Sequence, residues 1–166
     1  ISNNDNVSAR TYVTLGGMKE GALQGLALTA NFGVDYVNAF SKTYYNPNFG
    51  NAASSSGAVY DSFGRTLSYT FNQLLTYNRS FGKHTIDFLA GHENYDKTYR
   101  SLSADKEGFP VTGVYELDAA TNNTGIGGYV DTYRIESFLT RLNYDFDDKY
   151  YVSASYRRDC SSRFNQ

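Results

Sequence analysis

The chain has 166 residues with 16 Tyr, 11 Phe, 15 Gly, only 2 Pro and a formal net charge of −2. That charge excludes the basic field on which nucleic-acid binding depends, and no run of about 18 apolar residues offers a transmembrane helix. Abundant Tyr, Phe, Thr and Val, with Gly and Asn for turns, point to an all-β chain. A β-barrel passes the helix test unseen, because alternating strands depress mean hydropathy.

Residues 1–6 are polar and read as a cut inside a larger protein. Residues 7–15 alternate loosely (Tyr12, Val13, Leu15) and lead through Gly16 and Gly17 to a polar turn at 19–25. Over 26–36 the pattern is clean: Leu26, Leu28, Ala30, Phe32, Val34 and Tyr36 share one face, and Thr29, Asn31, Gly33 and Asp35 the other. The pattern then dissolves, and 41–63 is expected to be a long loop. Residues 65–79 resume it, with Leu67, Tyr69, Phe71, Leu75 and Tyr77 against Ser68, Thr70, Asn72, Thr76 and Asn78; Gln73 breaks the apolar file once. A very short turn at 80–83 returns to a strand over 85–95, where Ile86, Phe88 and Ala90 oppose Asp87, Gly91 and Glu93. Residues 100–132, rich in Gly, Asn, Thr and Asp, form a second expected long connection, with weak helical spacing near 116–120. Two final strands, 135–146 and 150–158, flank an acidic turn. Phe138, Leu142, Tyr144 and Phe146 lie opposite Ser137, Arg141, Asn143 and Asp145; then Tyr150, Val152, Ala154 and Tyr156 alternate with Tyr151, Ser153, Ser155 and Arg157.

The connections therefore run short, long, short, long, short. Short turns at one end and longer loops at the other are the rule in outer-membrane barrels, whose strands alternate between lipid and a wet lumen. Tyr77, Tyr144, Phe146, Tyr150 and Tyr151 cluster near the short turns, where an interfacial aromatic girdle belongs. Six strands cannot close such a barrel, because small ones already take about eight. Residues 1–166 are thus expected to be an antiparallel meander of about six strands, a segment of a transmembrane β-barrel. The alternative is a soluble all-β carbohydrate-binding module of a secreted protein, in which the apolar files would face a second sheet about 10 Å away.

Several stretches carry a family resemblance. LALTANFGVDY (26–36) holds N-F-G-x-D-Y, and the end YRRDCSSRF (156–164) is similar to R-x-D-G-S-S-R-F. With YNRSFGKHTIDFLAGHE (77–93) and YRIESFLTRLNYDFDDKYYVSASYRRD (133–159), the chain resembles SusC/RagA-type TonB-dependent transporters of the Bacteroidetes outer membrane. Cys160 stands where that family usually has Gly. The resemblance implies a large barrel with a plug, the plug and the remaining strands lying outside these residues. It also implies energisation through TonB, a SusD-like surface lipoprotein as partner, and oligosaccharide or peptide as cargo.

In such a barrel Asp87, Glu93, Arg141, Asn143, Asp145 and Arg157 share the polar registers and face the lumen. Charge on the lipid face would cost about 2–4 kcal/mol at the midplane. Aromatics of the expected loops, chiefly Tyr44, Tyr45, Tyr115 and Tyr129 with Phe49, Phe109 and Tyr133, offer flat faces suited to sugar rings. His84 and His92, eight apart on one strand, are too distant to share an ion. Asp145, Asp147 and Asp148 lack the spacing of a calcium loop. The lone Cys160 has no disulfide partner and no neighbouring His. The expectation is therefore a protein without catalytic residues, metal or cofactor.

Overall fold

The computed structural model describes residues 1–21 and 23–164. Six strands make one sheet in chain order: β1 (Ser2–Gly16), β2 (Leu26–Tyr45), β3 (Ala58–Phe81), β4 (His84–Glu107), β5 (Asn122–Phe146) and β6 (Tyr150–Ser161). The β5–β6 pair is antiparallel in a register that sets Phe146 opposite Tyr150, Leu142 opposite Ala154 and Ser137 opposite Asp159. The expected all-β meander of six strands is the fold. Among the described residues no second sheet covers the apolar files, so the sandwich is set aside.

The strands are longer than their alternation indicates. The loop expected over 41–63 shrinks to 46–57, and that expected over 100–132 shrinks to 108–121. Main-chain pairing needs no apolar side chain; where both faces of a strand are wet, the period of two is lost while the ladder continues. The helical spacing near 116–120 proves to be a single 3-10 turn, Leu117–Ala119, matched by another at Ala53–Ser55.

The sheet's residues fall into two compact units. The first comprises Ile1–Val7, Asp35–Leu67 and Thr98–Thr132, and contains both longer connections. There Val59, Phe109 and Ala120 form a small buried cluster, with Tyr44, Leu117 and Ala119 packed against it. The Phe109 N–H donates to the Ser56 carbonyl (2.8 Å), tying the two connections together, and the Thr121 N–H donates to the Gly108 carbonyl (3.0 Å), closing the second on itself. Gly57 adopts φ +89°, and a Cβ there would lie 3.1 Å from both the Phe109 ring and the Tyr45 carbonyl, so glycine is required. Lys42 Nζ bonds Glu116 and approaches Asp61 (3.6 Å), adding a charged fastening.

The second unit comprises Ser8–Val34, Ser68–Lys97 and the residues from Tyr133 onward. Two of its connections, 82–83 and 147–149, are tight. Gly82 (φ 59°) and the pair Asp147 (φ 56°) and Asp148 (φ 52°) supply the positive φ angles that two hairpin turns demand. Asp is among the few non-glycine residues that tolerate this, and here the Asp145 carboxylate accepts the Asp148 N–H (2.9 Å). The Asp147 N–H donates to the Lys83 carbonyl (2.8 Å), while its carboxylate accepts from Lys83 (3.1 Å) and Lys149 (2.9 Å). Lys149 first and Lys83 second hold the Asp147 carboxyl below its ordinary range. No described hydrophobic side chain of this unit is buried. Instead Phe32, Tyr69, Phe71, Phe138, Leu142, Val152 and Tyr156 stand exposed.

Candidate functional site

Alternation along a strand gives a sheet two faces, and side-chain contacts identify which residues share each. On one face of the second unit Phe32 stacks on Tyr69 (centroids 6.2 Å apart) and His92 on Phe138 (4.7 Å). Nearer the turns, Phe81, His84, Phe146 and Tyr150 form a chain of rings. His84 Nδ1 shares a 2.7 Å hydrogen bond with the Tyr144 hydroxyl. Aromatic bodies with polar tips suit a membrane interface. Tyr144, Phe146 and Tyr150 of the expected girdle gather here, whereas Tyr151 falls in the opposite register.

The other face is polar. Asp87, Asn143 and Asp145 come together around an open hollow of about 330 Å³, with Tyr151 and Ser153. The Ser153 hydroxyl donates to Asn143 Oδ1 (2.8 Å). Arg157 is placed apart: its Nε donates to both Asp159 oxygens (2.9 and 3.0 Å) and its Nη2 to the Ser137 hydroxyl (3.4 Å). Ser137 is fully buried, so the guanidinium is held over it rather than left to sweep solvent. Glu93 is half-buried and Arg141 exposed, and neither lines the hollow. The six residues read from the sequence thus divide into an acidic-polar group, an Arg–Asp clasp and two outlying charges. Hydrogen-bond donors and acceptors on a wet face can pass a polar solute along.

The aromatic candidates sit on firmer elements than expected. Tyr44 and Tyr45 end β2, and Tyr129 and Tyr133 lie within β5; Tyr115 remains in a connection. Tyr44 packs edge-on against Phe109 (5.3 Å) and Tyr115 (4.6 Å), Tyr45 against Tyr60 (5.7 Å) and Tyr129 against Tyr99 (5.7 Å). Tyr115, Tyr129 and Phe49 keep half or more of their surface exposed. Tyr44 and Phe109 instead belong to the buried cluster of the first unit.

One arrangement escaped the sequence reading. On the apolar face His92 Nδ1 lies 3.2 Å from Gln73 Oε1 and its Nε2 3.0 Å from Glu136 Oε1, a polar row across three strands. Close by, Arg134 Nε donates to Asp96 Oδ2 (2.6 Å). The signal was present: Gln73 interrupts its file, and His92 follows Ile86, Phe88 and Ala90 in theirs.

Comparison with known proteins gives a consistent set. No protein-family model matches the chain. It is 24% identical over 146 residues to TonB-dependent receptor P3 of Formosa agariphila, covering 87% of this chain and 15% of that protein. TonB-dependent receptor P39 of the same organism is 32% identical over 93 residues, 54% of this chain and 9% of that protein. Among solved structures, the RagAB peptide transporter superposes with a TM-score of 0.85 at 27% identity, over 99% of this chain and 18% of that one. The RagAB peptide importer in a closed-closed state gives 0.85 at 28% identity, over 98% and 18%. The chain therefore spans less than a fifth of the length of each of these relatives.

Proposed function

The chain belongs to the SusC/RagA type of TonB-dependent receptor, as a segment of its β-barrel, and from that premise we propose that it forms part of the wall of an outer-membrane importer. The observation that carries this reading is the pair of unlike faces on one uncovered sheet: exposed Phe32, Tyr69, Phe138 and Leu142 on one side, the Asp87–Asn143–Asp145 group and the Arg157–Asp159 clasp on the other. The first side meets lipid and the second lines the lumen, with Glu93 and Arg141. Peptide is the cargo favoured by the RagAB likeness, and oligosaccharide the other class such a lumen serves. A SusD-like surface lipoprotein would close the outer side near Tyr45, Tyr115 and Tyr129, and TonB would energise the cycle through a plug outside these residues. The role is transport rather than catalysis.

The test is uptake by cells lacking the full-length protein. Labelled oligopeptides should stop entering while labelled oligosaccharides enter as before, and restoring the gene should restore peptide entry. Loss of oligosaccharide uptake alone would replace the cargo class. Unchanged uptake of both, with the protein absent from outer-membrane fractions, would end the importer reading.

A further inference from the structure

Arg65 and Arg100 belong to neighbouring strands of the first unit, where the pairing is fixed by main-chain bonds. The Gly108 N–H donates to the Gly57 carbonyl (3.1 Å), and Phe109 to Ser56 beside it. Stepping along the antiparallel strands from that pair, Phe63 falls opposite Leu102 and Arg65 opposite Arg100. At the turn end the Ser80–Thr85 hydroxyl pair (3.0 Å) keeps the same count, so no bulge shifts it. Two like charges directly opposite on a sheet repel and destabilise it. Among the described residues neither guanidinium has a hydrogen bond or ion pair. Asp61, in the same register of β3, is already engaged by Lys42. Both arginines line one open hollow of about 580 Å³, whose walls include Asn38, Phe63, Leu102 and Val130. Opposed cations with apolar flanks are complementary to an anion attached to hydrocarbon.

We propose that Arg65 and Arg100 bind the phosphate of an acylated lipid in the outer leaflet, an inference that rests on the outer-membrane reading above. A phosphate between the two planar forks replaces repulsion with bidentate, charge-assisted hydrogen bonds. Phe63, Leu102 and Val130, which wall the hollow beside the two cations, meet the acyl chains. Free phosphate offers the same anion without the chains, and the apolar flanks favour the lipid.

The test uses the full-length transporter in detergent, with lipid retention read by native mass spectrometry. Three probes are added separately: monophosphorylated lipid A, its dephosphorylated form, and millimolar inorganic phosphate as competitor. The wild type should retain the phosphorylated lipid, and R65A/R100A roughly tenfold less, the worth of one charge-assisted contact. R65K/R100K, which keeps charge but loses the forks, should fall between. Equal retention by wild type and R65A/R100A overturns the proposal. So does displacement by inorganic phosphate, which makes this a free-anion site, or equal retention of the dephosphorylated lipid. Loss of a dimer peak in R65A/R100A with lipid retention intact assigns the hollow to a second copy instead. Membrane fractionation and heat-modifiable gel mobility accompany each sample. A wild type missing from the outer membrane fails the functional reading and this inference together; a correctly located, folded barrel with unchanged retention fails this inference alone.

Discussion

The two units of this sheet solve the same problem in different ways. The first buries Val59, Phe109 and Ala120 under its two longer connections, as a water-soluble protein would. The second buries no hydrophobic side chain among the described residues and exposes a broad apolar face instead. The same strands thus carry a globular logic in one stretch and a membrane logic in another. In the first unit the connections fold back to make a core; in the second the apolar file needs no such cover if lipid meets it.

The largest way to break that contrast is Phe109→Ala in the full-length protein. It opens a cavity in the only buried apolar cluster described and should cost about 3–5 kcal/mol locally. Amide exchange should accelerate over 46–57 and 108–121 and stay unchanged over 133–146; uniform acceleration would mean that the two stretches share one core.

A sharper and slightly smaller effect comes from adjacent residues of β5. Leu142→Arg puts charge on the apolar face and should cost about 2–4 kcal/mol on refolding into vesicles, whereas Asn143→Arg should cost under about 1 kcal/mol. Equal costs in urea titrations would contradict the facing assignment.

The smallest concerns the fastening between the two tight turns. Because Lys149 and Lys83 depress the Asp147 carboxyl, their contribution is complete above roughly pH 4 and disappears as pH falls through the lowered value. Asp147→Asn should therefore shift the unfolding midpoint slightly at pH 6 and progressively less as pH falls through that lowered value. Because asparagine keeps the main-chain bond to Lys83, a difference that persists unchanged into acid would show that the effect is not one of charge.

The sheet was legible because periodicity reports which side of a strand meets what. Leu26 to Tyr36 and Phe138 to Phe146 alternate cleanly since one face is lipid-like and the other polar. The extra length of β3 and β4 was not legible, because residues such as Gly64 and Ser101 pair through their main chains without any apolar period. On the polar face, the sequence placed Asp87, Asn143 and Asp145 in like registers, but only three-dimensional pairing brings them to one hollow. The Ser137–Arg157–Asp159 clasp was half visible: Arg157 was marked, while a buried serine as its support carries no sequence signal. Tyr44 shows the converse: expected in a loop, it lies in β2 and packs against the buried cluster.

The row of Gln73, His92 and Glu136 has a mechanical consequence. His92 bonds the Gln73 amide on one side and the Glu136 carboxylate on the other, so one ring bridges β3, β4 and β5 within a single unit. A slip of β4 by one residue would turn the ring to the opposite face and break both contacts at once. The row therefore acts as a dowel that pins the register of three strands.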